Sequence, residues 1–147
     1  MITERMKAEH IPQIALLEKE CFSSPWSENA LSQELENPNS YFITAIENAE
    51  VSGYIGVQEI CGEAYITNIA VFEKHRGRGI GRTLLKKACD DAKSRNCDFI
   101  TLEVRKSNDK AISLYLSEGF EQAGIRKNFY SSPTEDGIIY TKYFVKR

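Results

Sequence analysis

The chain has 147 residues, 41% of them hydrophobic, enough for one domain with a sizeable core. A formal net charge of −2 and a pI near 5.8 exclude a general nucleic-acid binder, which carries a basic excess. No apolar run nears membrane-spanning length and Met1-Ile2-Thr3-Glu4-Arg5 opens no apolar signal segment, so a soluble, cytoplasmic protein is expected.

In chain order, a short strand near Ile2 to Met6 precedes a helix over about Ala8 to Cys21, with Ile11, Ile14, Leu17 and Cys21 on one face. Ser23-Ser24-Pro25-Trp26 breaks it, and Ser27 caps a second helix carrying Glu28 in its first turn and Leu31 and Leu35 one turn apart. Three strands follow, Tyr41 to Ile46, Val51 to Ile60 and Ala64 to Val71. The loops between them are short enough for hairpins, which makes the strands antiparallel. Ile80, Leu84, Leu85, Ala88 and Ala92 define an amphipathic helix, and Phe99 to Val104 reads as a buried strand that the helical crossover places beside the previous one. A helix over about Asn108 to Ser117 stops at Gly119. Phe120 to Tyr130 and Ile138 to Val145 form a last hairpin around Ser131 to Gly137. No repeat, linker or low-complexity tract divides the chain. The expectation is a single α/β (α+β) domain over residues 1–147, a mixed, mostly antiparallel sheet flanked by helices.

Cys21, Cys61, Cys89 and Cys97 form no Cys-x-x-Cys pair, and with only His10 and His75 beside them no metal site is expected. They read as thiols in a reducing compartment. Glu34, Glu36, Glu47, Glu50, Glu59 and Glu63 make the first half acidic, a surface suited to a basic small molecule or peptide.

The most informative run is Asn68-Ile69-Ala70-Val71 followed by Arg76-Gly77-Arg78-Gly79-Ile80-Gly81-Arg82. An apolar strand gives way to a basic, glycine-dense turn that opens a helix. Such a turn exposes backbone N–H donors to a bulky group and adds the positive end of the helix dipole, which together suit a pyrophosphate. The spacing is neither the Gly-x-Gly-x-x-Gly of a dinucleotide fold nor a Gly-Lys-Ser/Thr P-loop. On the residues alone, an ordinary strand-to-helix turn with solvated arginines stays open.

These residues resemble the GNAT superfamily of N-acetyltransferases, whose shared element is Gln/Arg-x-x-Gly-x-Gly/Ala. Arg76, Gly79 and Gly81 stand at its fixed positions. The resemblance implies acetyl-coenzyme A as cosubstrate, with its pantetheine arm on Ile69, Ala70 and Val71, its pyrophosphate on Arg76, Gly77, Arg78, Gly79, Ile80, Gly81 and Arg82, and a further contact at Asn108. Phe22-Ser23-Ser24-Pro25-Trp26-Ser27, Leu102-Glu103-Val104-Arg105-Lys106-Ser107-Asn108, Leu114-Tyr115, Gly119-Phe120 and Arg126-Lys127-Asn128-Phe129-Tyr130 are similar in order to the RimI group within it. Those enzymes acetylate the N-terminal alanine of a small-subunit ribosomal protein, which makes that N-terminus the implied partner. Phe129, Gly137 and Tyr140 depart from the group's usual tyrosine, alanine and methionine, and all lie on the implied acceptor side.

Acyl transfer to an amine needs a neutral amine, oxyanion donors and a proton for the departing thiolate. An α-amine with a pKa near 7.7–8.0 is about 10–20% neutral at pH 7. A lysine near 10.4 must give up its proton there at a cost of roughly 4–5 kcal/mol. The magnitudes favour an N-terminal acceptor, with a lysine, a polyamine or another small amine as the alternative. Glu103 faces away from Ile100, Leu102 and Val104, which on the residues alone leaves open an exposed strand carboxylate; the resemblance makes it the catalytic base. Tyr115 shares a face with Ile112 as a core tyrosine would, and the resemblance makes it the acid for the leaving sulfur. Asn108 suits a helix cap as well as a coenzyme contact. Trp26 and Tyr130, in expected loops, either shape the peptide entrance or simply pack. No histidine neighbours a thiol in a motif, so direct attack is expected rather than an acyl-cysteine. A non-catalytic acyl-coenzyme A sensor would not need both Glu103 and Tyr115.

Overall fold

A computed structural model describes residues 1–145. Seven strands form one sheet in the order β1-β2-β3-β4-β5-β7-β6: β1 Ile2–Arg5, β2 Ser40–Glu47, β3 Glu50–Ile60, β4 Glu63–Val71, β5 Phe99–Arg105, β6 Glu121–Tyr130 and β7 Glu135–Tyr143. All neighbours are antiparallel except β4 and β5, as the helical crossover between them requires. The helices are α1 Ile11–Cys21, α2 Glu28–Leu35, α3 Ile80–Ser94 and α4 Asp109–Ser117. None among the described residues is long and apolar enough to cross a membrane.

The expected elements form, with local differences. The first helical stretch begins as a 3-10 turn, Ala8–His10, because Pro12 lacks the N–H that would continue a longer ladder backwards. His10 Nδ1 accepts from Lys7 N–H at 3.0 Å, so a neutral ring carries its proton on Nε2, 3.3 Å from Glu4 Oε1. Ser27 caps α2, accepting from Ala30 N–H at 3.1 Å. The last hairpin turns more tightly than its sequence implies: β7 begins at Glu135, while β6 ends at Tyr130 as expected. β7 enters between β5 and β6, which places the end of β6 close to the end of β5.

The sheet has a core on each face. On one, Ile80, Leu84, Leu85 and Ala88 of α3 and Tyr115 of α4 pack on Ile43, Ile55, Ile66, Ile100, Leu102 and Val104. On the other, Ile11, Ile14 and Leu17 of α1 and Leu31 of α2 pack on Phe42, Val51, Tyr54 and Ala70. Strand β3 lies between both layers and is buried on both faces from Val51 to Val57. The face of α1 expected from its apolar residues also carries Glu18, fully buried.

Two features near the sheet centre position everything else. Strand β4 bulges: Gly56 pairs with Asn68 and Val57 with Ile66, leaving Thr67 as the extra residue. Strand β4 also pairs with β5 only at Glu63–Phe99, Ala64–Ile100 and Tyr65–Thr101. Beyond that level the two strands share no ladder. Behind the end of β4, Gly53 holds the space: a Cβ there would stand 2.8 Å from the Ala70 carbonyl oxygen and 3.2–3.3 Å from the Val71 and Ile80 side chains. Gly53→Ala is expected to cost about 1–3 kcal/mol by overpacking against backbone, read as a lower denaturation midpoint with unchanged slope.

Candidate active site

Where β4 leaves β5, a cleft of about 610 Å³ opens toward α3 and α4. Its walls bring together Ile69, Ala70 and Val71 from the end of β4, Arg76, Gly77, Gly79, Ile80, Gly81 and Arg82 from the turn and first turn of α3, and Asn108 and Tyr115 from α4. Gly77 and Gly79 have φ of +83° and +78°, and a Cβ on either would meet nothing within 4 Å. Left-handed backbone explains the glycines, and the open space beside them admits a bulky ligand. Gly79 is the N-cap residue of α3, so the first N–H groups of a 15-residue helix are presented at the cleft. Asn108 caps α4, its Oδ1 accepting from Ala111 N–H at 3.2 Å, and the residue also lines the cleft.

The arginines are less mobile than the sequence implies. Arg76 donates from Nε to the Val71 carbonyl at 3.0 Å and approaches Cys21 Sγ at 3.3 Å. Arg82 donates to Ser117 Oγ at 2.9 Å and pairs with Glu118, which Lys86 also contacts at 3.1 Å. Arg78 does not line the cleft; its guanidinium pairs with Glu47 at 3.1 Å and with His75. The expected place of Arg78 among the cleft ligands is therefore corrected: its ion pair with Glu47 holds the side chain elsewhere. Cys21, Phe22, His75, Lys110, Ala111 and Leu114 also line the cleft and were not singled out from sequence. Cys21 and Phe22 come from the C-terminal end of α1, a long-range approach that no local pattern announces. Burial outweighs the neighbouring Arg76 charge and raises the Cys21 thiol, so it is not an activated thiolate.

Glu103 lies on the other side of the gap. Strand β5 alternates as expected, with Ile100, Leu102 and Val104 on the α3 side and Phe99, Thr101 and Glu103 on the α1 side. Glu103 Oε1 sits 3.4 Å from Arg126 Nε, while Oε2 is buried and takes no hydrogen bond among the described residues. Tyr130, its ring covered by Arg105 and set against Phe129, lies near this carboxylate. Burial first, and then the charge of Glu103, raises its phenol. Tyr130 in turn is close enough to add to the burial that pushes Tyr115 up to about 12. Glu103 and Tyr130, and Tyr130 and Tyr115, are thus near enough for charge on one to act on the other. Tyr115 packs against Phe120 and Tyr140, with ring centroids 5.9 and 6.4 Å away, so it is a core tyrosine and a cleft residue at once.

Trp26 is not in the cleft wall. It packs on Phe42 at 6.0 Å, and its backbone N–H donates to Glu18 Oε1 at 2.9 Å, which fits the packing reading of this residue. The acidic first half is also less available than composition implies, since Glu47, Glu50 and Glu59 pair with Arg78, Lys74 and Arg95.

The GNAT acetyltransferase family model matches residues 11–120. The ribosomal protein bS18-alanine N-acetyltransferase of Escherichia coli K12 is 35% identical over 133 residues, covering 90% of this chain and 87% of that protein. The N-alpha-acetyltransferase RimI of Mycobacterium tuberculosis is 34% identical over 122 residues, covering 79% and 75%. The crystal structure of the Escherichia coli ribosomal-protein-S18-alanine N-acetyltransferase superposes with a TM-score of 0.90 at 29% identity, over 99% of this chain and 95% of that one. With the fold, the glycine turn and these matches in agreement, the chain belongs to the GNAT family and is an acetyl-coenzyme A-dependent N-acetyltransferase.

Proposed function

We propose that the chain, acting as one domain in the cytoplasm, acetylates the N-terminal α-amine of a small-subunit ribosomal protein, with alanine as the acetylated residue. The observation that carries this reading is the cleft at the open seam of the sheet, with Tyr115 in its wall and Glu103 on the strand that borders it, in a chain about 35% identical to bS18-alanine acetyltransferases over most of its length. The cleft fits the coenzyme: the N–H groups opening α3 and the bare backbone of Gly77 and Gly79 suit a pyrophosphate, and the unpaired end of β4 suits an amide-bearing arm.

In this reading Glu103 takes a proton from the α-amine as its nitrogen bonds to the thioester carbonyl carbon, and the C–S bond then breaks with its electron pair going to sulfur. Tyr115, pushed up to about 12 by burial, keeps its proton throughout the neutral range. A thiolate of ordinary pKa near 8.5 is too weak a base to remove that proton at equilibrium. Tyr115 therefore donates a hydrogen bond to the sulfur as charge develops, and solvent completes the thiol. Tyr130, beside Glu103, frames the acceptor entrance, while Trp26 packs on Phe42.

Mass spectrometry after incubation with acetyl-coenzyme A should find the acetyl group on the α-amine of an alanine-terminal peptide that copies the start of the ribosomal substrate. A lysine-only peptide and a polyamine should stay unmodified; acetylation of these alone would replace the acceptor class. Glu103→Gln is expected to lose about 10²–10⁴-fold in turnover at pH 7 and to recover partly above pH 8, where the α-amine deprotonates unaided; a loss that is flat with pH removes Glu103 as the base. Difference titration of wild type against Tyr115→Phe should reveal one phenol with a midpoint of about 12, and a midpoint near 10 would contradict its burial.

A further inference from the structure

Among the buried side-chain oxygens without a hydrogen bond are two acceptors that border the same seam, Asn68 Oδ1 and Glu103 Oε2. An acceptor kept from water with no donor costs about 1–3 kcal/mol, so a pair of them marks a place where a donor is expected. Their positions match. Counting onward from the last paired residues, Tyr65 and Thr101, and allowing the bulge its one extra residue at Thr67, Asn68 and Glu103 stand at the same level of the two diverging strands. They also point the same way. Asn68 reaches Glu18 on the α1 side of the sheet, and Glu103 faces away from the α3 core.

The buried Glu18 explains how Asn68 is aimed. Glu18 Oε1 accepts from Trp26 N–H at 2.9 Å, and Oε2 accepts from the Tyr54 hydroxyl at 2.5 Å and from Asn68 Nδ2 at 3.4 Å. Burial, reinforced by the adjacent Glu18 charge, holds the Tyr54 phenol far above its ordinary range, so it remains a donor. With the carboxylate serving as acceptor, the amide turns its NH2 toward Glu18 and its oxygen away from it.

We propose that Asn68 Oδ1, aimed by Glu18, binds the acceptor amine together with Glu103 Oε2, so that two N–H groups are held and the lone pair is left for the thioester. This rests on the reading that Glu103 faces the acceptor, and it extends that reading in two ways. It assigns the amine a second ligand, and it makes a primary amine the preferred nucleophile, because only a primary amine keeps two N–H bonds while it attacks. Glu18 is a positioning residue: it touches no substrate, and it fastens Trp26, Tyr54 and Asn68 to one another across α1, β3 and β4.

Asn68→Leu, which keeps the volume and removes the acceptor, and Asn68→Ala should each raise the KM for the acceptor about tenfold and leave the KM for acetyl-coenzyme A within twofold. A des-amino peptide, identical except that hydrogen replaces the terminal amine, should inhibit wild type and both variants with the same inhibition constant. An unchanged acceptor KM, or equal weakening of the amine and des-amino peptides, overturns the proposal. Glu18→Gln should raise the acceptor KM in wild type and add nothing in the Asn68→Leu background; an independent effect removes Glu18 as the positioning residue. Wild type is first assayed on the alanine-terminal peptide, whose failure counts against the acceptor class alone. The variants are then compared on whichever primary amine wild type acetylates, so the two readings fail separately.

Discussion

The incomplete pairing of β4 with β5 is the constraint on which the rest of the structure depends. Two adjacent parallel strands that hold only three residue pairs must part, and parting leaves backbone donors and acceptors of both strands without a ladder. In a protein core this would be costly. Here the bulge at Thr67 turns the end of β4 away from β5, the glycine turn leads from β4 into α3, and α4 follows a short turn after β5. The unpaired backbone then faces a cleft instead of a dry interior. The same departure opens a cleft at the seam and leaves Glu103 on the face of the sheet opposite the α3 core.

The local parts of this arrangement were legible in the sequence because each has a local cause. The apolar period of α3, the cap residues Ser27 and Asn108 and the alternation along β5 all act within a few residues. The glycine turn was legible for the same reason, since left-handed backbone at Gly77 and Gly79 is a local demand. What stayed hidden depends on residues far apart in the chain. Glu18, which no local pattern marks, is buried because Tyr54 and Asn68, 36 and 50 positions away, donate to it. Arg78 reads as a phosphate ligand until Glu47 is found beside it. Tyr130 shows no tie to Glu103 until β7 inserts between β5 and β6 and draws the end of β6 toward it.

Fixing the arginines has an electrostatic consequence. Held by Val71, Ser117 and Glu118, Arg76 and Arg82 add charge at the cleft without having to be ordered when a ligand arrives, which lowers the entropic cost of binding. The pairs also tie the turn to the end of β4 and α3 to the end of α4, so the cradle is braced from both sides. Charge that looked like a mobile halo in the sequence is part of the scaffold.

Two of the three residues that depart from the RimI pattern, Phe129 and Gly137, prove to be neighbours, while Tyr140 packs against Tyr115 in the α3-side core. A Cβ on Gly137 would lie 3.2–3.3 Å from the Phe129 ring and side chain and 3.3 Å from Glu103 Oε2. The ring of Phe129 is in turn covered by Arg126, whose Nε approaches the other oxygen of Glu103. Phe129 and Gly137 are therefore one local packing solution rather than two separate changes: the bare glycine gives the phenyl ring and the carboxylate the room that an alanine methyl would take. Phe129 also lacks the hydroxyl that a tyrosine would carry. This pair lies at the carboxylate, and neither residue lines the cleft.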